Sequence, residues 1–393
     1  MSIGKVVAAM LTLAAPAAAQ EWNAAPPNVP EQTPAFPEQT RAPALTDEVA
    51  LQQQTIVTGL EHPWALAELP DGSWLVTERP GRLRHVTLDG KVSAPIKGLP
   101  KVDARGQGGL LDVVLAPDYA SSKRIYWSFA EPRGEGENAT AVATGVLSDD
   151  MSELQDVAVI FQQQPAWKSE LHFGSRLVFA NDGTLFVTTG ERSLPESRVH
   201  AQDVGTTLGK VIHINPDGSP AANNPDIPGG LPEIWSWGHR NLQAAALASD
   251  GTLWTIEHGP RGGDELNHIR PGRNYGWPII TYGDDYDGTP IGEGITAHEG
   301  MEQPVYYWDP VIAPSGATFY DGAMFPEWKG DLLIGGMQAQ SITRLRLNGE
   351  KVAGESRLLE GIGRVRDVAV AQDGAIWLVL DQKDAPLMRI SRQ

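Results

Sequence analysis

The sequence predicts an all-β fold, a six-bladed β-propeller with four antiparallel strands in each blade. Two observations carry this prediction: a strand–turn–strand pattern that recurs along the chain, and the lack of any stretch with a convincing helical period. About 340 residues follow the N-terminal region, more than one hydrophobic core normally serves. A repeat architecture or two domains is therefore required.

The recurring unit is an apolar strand, an Asp-Gly turn and a second strand rich in aromatic and β-branched residues. Asp-Gly suits a two-residue hairpin, because both central positions of that turn need a positive φ. The clearest copies are Ala67–Glu78, Val178–Glu191, Ala246–Glu257 and Val370–Asp381.

The spacing of the copies predicts the number of blades. The aspartates of the four turns lie 111, 68 and 123 residues apart, and two of these spacings are about twice a unit of ~60 residues. Degenerate copies fill the two gaps, at Gly109–Phe129 and Gly316–Gly335. Six units favour a propeller, and two β-sandwiches are the alternative fold.

The N-terminal region predicts export. Residues 1–19 have the pattern of a secretory signal peptide, with Lys5, a short apolar run and three alanines before Gln20. Residues 20–53 are rich in proline and poor in large apolar residues, which predicts a flexible linker. The propeller domain is expected at 54–393, in a periplasmic protein. The chain has no cysteine, so no disulfide contributes to its stability.

The net charge of the chain argues against two classes of partner. Its formal value is −18, which disfavours binding to nucleic acid or to an anionic membrane surface. No apolar stretch reaches the ~20 residues that a membrane-spanning helix needs, so we expect no membrane insertion.

The run from His258 to Pro278 is unusually rich in glycine and proline. A backbone that bends so often can turn several carbonyl oxygens toward one point, which is how main-chain atoms come to bind a hard cation such as calcium. Asp264 and Glu265 add carboxylates to the same run. A long surface loop is the alternative interpretation.

Other polar side chains lie in glycine-rich turns or next to predicted strands. His172 could act as a general base, because imidazole titrates near neutrality, although a lone histidine is more often structural. Arg240, Arg364 and Arg366 suit a polyanionic small ligand, since guanidinium groups bind carboxylates in a bidentate manner. Exposed salt bridges are the alternative role for these arginines. Gln107 is presented by a glycine-rich turn.

Together these stretches resemble the soluble PQQ-dependent aldose sugar dehydrogenases, which are related to soluble quinoprotein glucose dehydrogenase. The resemblance covers the chain from about Gln54 to its end. The motifs that carry it are Gly106–Leu111, His172–Leu177, Trp237–Asn241, His258–Glu265, Asn274–Pro278 and Arg364–Asp367.

The resemblance implies an enzyme that oxidises aldose sugars to aldonolactones with PQQ and calcium, passing electrons to an unknown acceptor. It implies that His172 is the catalytic base and that Arg240 stabilises negative charge on the quinone. The residues it assigns to PQQ are Gln107, Arg240, Asn241, Tyr286, Gln338, Arg364 and Arg366. The ligands it assigns to calcium are the carbonyls of Gly259 and Pro260 at the quinone, with Glu265 and Tyr275 at a second, structural ion.

One position departs from the family pattern. Gln338 stands where the family often has a lysine near the quinone, so this chain lacks a positive charge there. Two other functions remain open on the same fold: a calcium-dependent lactonase, which relies on side-chain carboxylates and asparagines in the channel, and a non-catalytic binding propeller.

Overall fold

The computed structural model describes residues 21–393, and the predicted signal peptide lies outside these residues. A short helix α1 (Glu21–Ala24) and an extended segment lead to β1 (Leu51–Leu60). The first blade contains β2 (Pro63–Glu68), β3 (Trp74–Glu78) and β4 (Arg82–Val86). The second contains β5 (Leu110–Leu115), helix α2 (Tyr119–Ser122), β6 (Arg124–Gly134), β7 (Glu137–Leu147) and β8 (Leu154–Gln162).

The third and fourth blades include the longest irregular segment, residues 275–305 between β16 and β17. The third contains β9 (Gly174–Phe179), β10 (Leu185–Thr189), helix α3 (Pro195–Arg198), a 3₁₀ turn (Val199–Ala201), β11 (Lys210–Ile214) and β12 (Ile234–Trp237). The fourth contains β13 (Leu242–Leu247), β14 (Leu253–Glu257) and β15 (Asp264–Ile269). A short strand β16 (Arg273–Asn274) then returns to the third sheet, and β17 (Tyr306–Trp308) completes the fourth.

The fifth and sixth blades complete the ring. The fifth contains β18 (Pro314–Phe319), a 3₁₀ turn (Pro326–Trp328), β19 (Leu332–Gly336), β20 (Ser341–Asn348) and β21 (Lys351–Leu358). The sixth contains β22 (Val365–Val370), β23 (Ile376–Leu380) and β24 (Ala385–Arg392), with β1 as its outer strand. The first strand of each blade contacts the first strand of the next, and β22 contacts β2. The predicted six-bladed propeller is therefore confirmed.

Two blades differ from the predicted four strands. The first sheet has three strands, because the segment after β4 pairs irregularly: Ser93 N and Ile96 N bond β4 carbonyls, but Pro95 between them has no N–H to donate. The third sheet has five strands, because β16 adds in parallel to β12.

The Asp-Gly hairpins occur at the predicted places with a different turn. In the first, Gly72 has φ +83° and Asp71 keeps a negative φ, within a loop closed by the bond from Leu69 N to Ser73 O. The carboxylate of Asp71 accepts a hydrogen bond from Ser73 N at 3.0 Å. This three-residue loop needs a left-handed residue only at the glycine, and the aspartate serves as an acceptor for the turn.

Most of the segment predicted as a flexible linker at 20–53 is instead packed against the propeller: residues 51–53 belong to β1, and we call residues 23–50 the N-terminal strap. Val29, Gln39 and Ala42 are buried, and Leu45 N bonds Glu355 O on β21 at 2.9 Å. Composition was misleading because the strap docks mainly through backbone and polar side-chain hydrogen bonds, which a count of large apolar residues does not register. Within residues 21–393, no helix is long and apolar enough to cross a membrane.

A buried ion cluster joins three blades at the centre of the ring. Arg176 on β9 lies 3.1 Å from Asp112 on β5 and 3.2 Å from Asp367 on β22, and its guanidinium stacks over Trp64 on β2. Burial raises the pKa of Asp112 to about 6, although Arg176 opposes that shift.

Replacing Arg176 by methionine is expected to lower the free energy of unfolding by about 3–5 kcal/mol, because two buried carboxylates lose their shared partner. Urea denaturation of the purified variant measures this. The matched control is Lys91→Met, which removes an exposed pair with Asp89 and should leave stability almost unchanged. Equal losses in both variants would contradict a special role for the cluster.

Candidate active site

His172 lies in a tightly held turn just before β9. Its φ is +48°, a left-handed value that is uncommon for a residue with a side chain. Its N–H donates to Gln107 Oε1 at 2.9 Å, and its carbonyl accepts from Arg192 Nη1 at 3.3 Å. Gly190 packs against that carbonyl so closely that a Cβ there would collide with it. The backbone of His172 is therefore fixed on three sides.

The imidazole of His172 is oriented by Glu191. Nδ1 lies 2.9 Å from Glu191 Oε1, and the carboxylate is completely buried. Burial, followed by the positive charge of Arg240, lowers the pKa of His172 to about 4. The ring is thus neutral at pH 7. With its Nδ1 proton on Glu191, it has the Nε2 lone pair free to accept a proton.

Replacing Glu191 by glutamine tests this arrangement. The variant keeps an oxygen for the Nδ1 proton but loses the negative charge, which in the wild type raises the pKa of His172. The acid limb of the kcat/KM profile should therefore move to lower pH, and kcat should fall about tenfold to a hundredfold, because a weaker base accepts the proton. In the wild type the limb should lie below the usual imidazole value of 6.5. An unchanged profile would show that the charge of Glu191 does not set the basicity of His172.

Arg240 is a buried cation without an acidic partner. It is 3% exposed; Nη1 donates to His258 O at 3.1 Å, and Nη2 lies 3.4 Å from the Tyr286 hydroxyl. Its guanidinium also lies 5.2 Å from the ring centre of Trp277. Nowhere in residues 21–393 does a carboxylate lie within ion-pairing distance of it, and its Nε has no partner there.

Arg364 and Arg366 approach the same acid, as the alternation along the strand predicts. Arg366 Nη2 lies 2.9 Å and Arg364 Nη2 3.6 Å from Asp381 Oδ2. Arg366 is buried and also bonds Gln243 at 2.9 Å, whereas the side chain of Arg364 is half exposed. The charge of Arg366 is therefore already balanced within the protein, and Arg364 is the freer of the two.

The remaining predicted quinone residues differ in their surroundings. Gln107 uses its oxygen on His172, which leaves its amide N–H groups for other partners. Asn241 is buried, and its Oδ1 accepts from Gly174 N at 3.1 Å. Tyr286 is 70% exposed. Gln338 is exposed in the turn after β19.

The Gly259–Pro260 turn follows β14 and connects directly to Arg240 through His258. Gly259 N donates to Asp264 Oδ1 at 2.8 Å, while Asp264 Oδ2 accepts from Ile312 N and Ala313 N at 2.8 Å. The carbonyl oxygens of Gly259 and Pro260 accept no hydrogen bond from any described residue, although both residues are buried.

Glu265 faces Glu257 across β14 and β15, beside a cavity of about 10 Å³ that is also bordered by Tyr275. Burial and the charge of Glu257 raise the pKa of Glu265 well above its usual value. Asn267 Nδ2 bonds both carboxylates, at 3.1 and 3.2 Å. The hydroxyl of Tyr275 is occupied by His268 O and Arg270 N, so only its carbonyl is available to a ligand.

The acids that organise the site were not among the residues predicted from the sequence, although the repeats contained the signal. Each of the four clear copies ends in an acidic residue, and the structure pairs each one with an imidazole or a guanidinium. The pairs are Glu78 with Arg82 and Arg84, Glu191 with His172, Glu257 with His239, and Asp381 with His62 and Arg366.

Contacts bring His172, Arg240, Asn241 and the Gly259–Pro260 turn together, whereas Arg364 and Arg366 are held by Asp381. Glu191 N bonds Arg240 O at 3.0 Å, and His258 N bonds Asn241 O at 3.1 Å. Across residues 21–393, no three His, Asp or Glu side chains converge as a metal site. A calcium ion at this site would therefore need backbone carbonyls for most of its protein ligands.

Comparison with known proteins gives a consistent match. The family model described as glucose/sorbosone dehydrogenase matches residues 60–389. The aldose sugar dehydrogenase YliI of Escherichia coli (strain K12) is 43% identical over 358 residues, which are 89% of this chain and 94% of that protein.

Solved structures agree in fold. The soluble aldose sugar dehydrogenase from Escherichia coli in its apo-form matches with a TM-score of 0.84 and 41% identity, over 87% of this chain and all of that one. The PQQ-bound form of an aldose sugar dehydrogenase from Streptomyces coelicolor matches with a TM-score of 0.73 and 29% identity, over 89% of this chain and all of that one.

Proposed function

Because the chain belongs to the glucose/sorbosone dehydrogenase family, we propose that it is a PQQ- and calcium-dependent enzyme that oxidises aldose sugars at the anomeric carbon to aldonolactones. The observation that carries this proposal is the unpaired, buried charge of Arg240 beside a neutral, oriented His172. The charge of Arg240 favours an anionic ligand, and the imidazole of His172 provides a base.

The residues present fit a quinone that bears several carboxylates. A buried cation without a direct ion pair is unfavourable, and a bound carboxylate would supply one. Arg364 is half exposed and only loosely paired with Asp381, so it is available to a second carboxylate. The free amide group of Gln107 adds a neutral donor beside His172.

The residues present also fit calcium. The two buried carbonyls without donors, Gly259 O and Pro260 O, are hard oxygen ligands next to Arg240. Glu265 is a half-buried residue whose carboxylate has a single amide donor, and a cation in the adjoining cavity would relieve its desolvation. We assign the first pair to the ion at the quinone, and Glu265 with the Tyr275 carbonyl to a structural ion.

The chain itself supplies the proton chemistry. When bound, PQQ supplies an electron-accepting carbonyl for the hydride of the anomeric carbon, and calcium polarises that carbonyl. His172 Nε2 accepts the proton of the anomeric hydroxyl, and Glu191 holds the resulting imidazolium. Arg240 donates hydrogen bonds where negative charge develops.

The test is reconstitution of the purified apo-protein. Dye-linked oxidation of a panel of aldoses should appear only when calcium and PQQ are both added. Hydrolysis of a lactone with calcium alone would instead support the lactonase alternative, although the structure offers no cluster of carboxylate ligands for it within residues 21–393. No aldose oxidation at saturating PQQ would contradict the proposal.

A further inference from the structure

The N-terminal strap packs against the outer side of the loop that carries Gly259 and Pro260. We infer that strap residues 28–41 are a positioning element of the active site, which hold the 259–263 loop in the conformation that presents its carbonyls. The inference uses the proposed function only for the identity of the ligand that these carbonyls bind.

The strap reaches the loop directly at Gly262. This glycine has φ +88°, and a Cβ built on it would lie 3.2 Å from Val29 Cγ2 and 3.3 Å from the carboxylate of Asp309. That carboxylate accepts hydrogen bonds from Asn28 N at 2.5 Å and Val29 N at 3.0 Å. The buried side chain of Val29 and Asp309 together form a wall behind the loop.

A second contact runs through Gln39, whose side chain is completely buried. Its Oε1 accepts from the Tyr282 hydroxyl at 3.0 Å, and its backbone carbonyl accepts from Tyr307 N at 2.8 Å. The two tyrosine rings stack with centroids 4.0 Å apart. Gly263 packs on the backbone of Tyr282, so a shift of this tyrosine would displace the loop.

Arg41 binds the strap to the same region, next to Asp309. Its Nη2 donates to Asp309 O at 2.8 Å and to Ala25 O at 2.9 Å. The strap is therefore joined to the Asp309 region at both its early and its late residues.

The loop needs this outer support because its inner contacts hold only part of it. Asp264 fixes Gly259 from the inside. Gly262 and Gly263 have no side chains and take left-handed conformations, and they are held by outer neighbours, including Trp308 O, which accepts from Gly263 N at 3.0 Å. A loop that is already ordered binds its ligand with a smaller entropy loss.

The experiment compares strap variants of the full-length apo-protein with a control in the same strap. Val29→Ala removes the direct contact, and Gln39→Leu removes the side-chain hydrogen bond of the indirect one. The control, Asp47→Asn, weakens strap ion pairs with Arg344 and Arg346 on β20, away from the loop. The readouts are hydrogen–deuterium exchange at the amides of 259–263, equilibrium titration with PQQ at a fixed calcium concentration, and the melting temperature.

Both strap variants should exchange faster at 259–263 and bind PQQ about fivefold to a hundredfold more weakly. Asp47→Asn should leave the exchange rates and the PQQ affinity unchanged, even if it lowers the melting temperature as much as the two strap variants do. Unchanged exchange in the strap variants, or an equal change in the control, would overturn the inference. If the wild type bound no PQQ, the proposed function would be contradicted, while the exchange comparison would still decide the role of the strap.

Discussion

A His172→Gln variant should retain nearly full affinity for PQQ and lose at least about a hundredfold in turnover. Glutamine can fill the space but cannot accept a proton, and a positioned general base contributes about 10²–10⁴-fold to a rate. The loss should fall on kcat, because the cofactor contacts proposed for Arg240, Arg364 and Gln107 are not directly altered. Steady-state kinetics of the reconstituted variant and an equilibrium titration with PQQ separate the two effects.

The control for this variant is His298→Gln, which changes an exposed histidine that bonds the carbonyl of Glu299. It should keep wild-type turnover. Wild-type turnover in His172→Gln would show that another group accepts the proton. A large loss of PQQ affinity in that variant would show that the imidazole binds the cofactor.

An Arg240→Met variant should bind PQQ about a hundredfold to a thousandfold more weakly, yet its apo-protein should be at least as stable as the wild type. The first effect, about 3–4 kcal/mol, is the loss of a buried ion pair with a ligand carboxylate and lies within the usual cost of breaking such a pair. The second follows because the wild-type guanidinium is buried and makes no direct ion pair with a carboxylate among residues 21–393, so that Glu191 and Asp264 offset its charge only at longer range. Removing an unpaired charge from the interior relieves its desolvation.

The matched control is Arg344→Met, which removes another buried guanidinium, one that is paired with Asp47 and Asp331. This variant should lose stability without a comparable loss of PQQ affinity. The measurements are thermal unfolding of the apo-proteins and the same PQQ titration. A clear destabilisation of the Arg240→Met apo-protein would contradict the view that the Arg240 guanidinium is paired only when an anionic ligand binds.

The fold could be predicted because its determinants are local and repeated. The copies around Asp71, Asp182, Asp250 and Asp373 each contain a complete strand–turn–strand unit, and the structure confirms each as the start of a blade. The docking of the strap could not be predicted in this way. It depends on Gln39 and Val29 meeting partners more than 200 residues away, and nothing in their local sequence indicates those contacts.

The residues proposed for the candidate site could be chosen from the sequence, but the way they pair could not. Arg240 and Arg366 have the same residue type and both lie near the ends of inner strands, so the sequence gives them similar roles. The structure distinguishes them, since Arg366 is neutralised by Asp381 and Arg240 has no such partner within residues 21–393. Likewise Glu191 is the last residue of one repeat copy and was visible in the sequence. Its hydrogen bond to His172 forms because β10 runs antiparallel to β9 and brings the residues after β10 beside those before β9.

The most direct measurement is a single turnover without any external electron acceptor. Apo-protein loaded with calcium and one equivalent of PQQ is mixed anaerobically with an aldose, while the absorbance of the bound cofactor and the sugar product are followed. Our account predicts reduction of the cofactor with one equivalent of aldonolactone formed, and at least about a hundredfold slower reduction in His172→Gln. Cofactor that binds and remains oxidised with every aldose offered would contradict it.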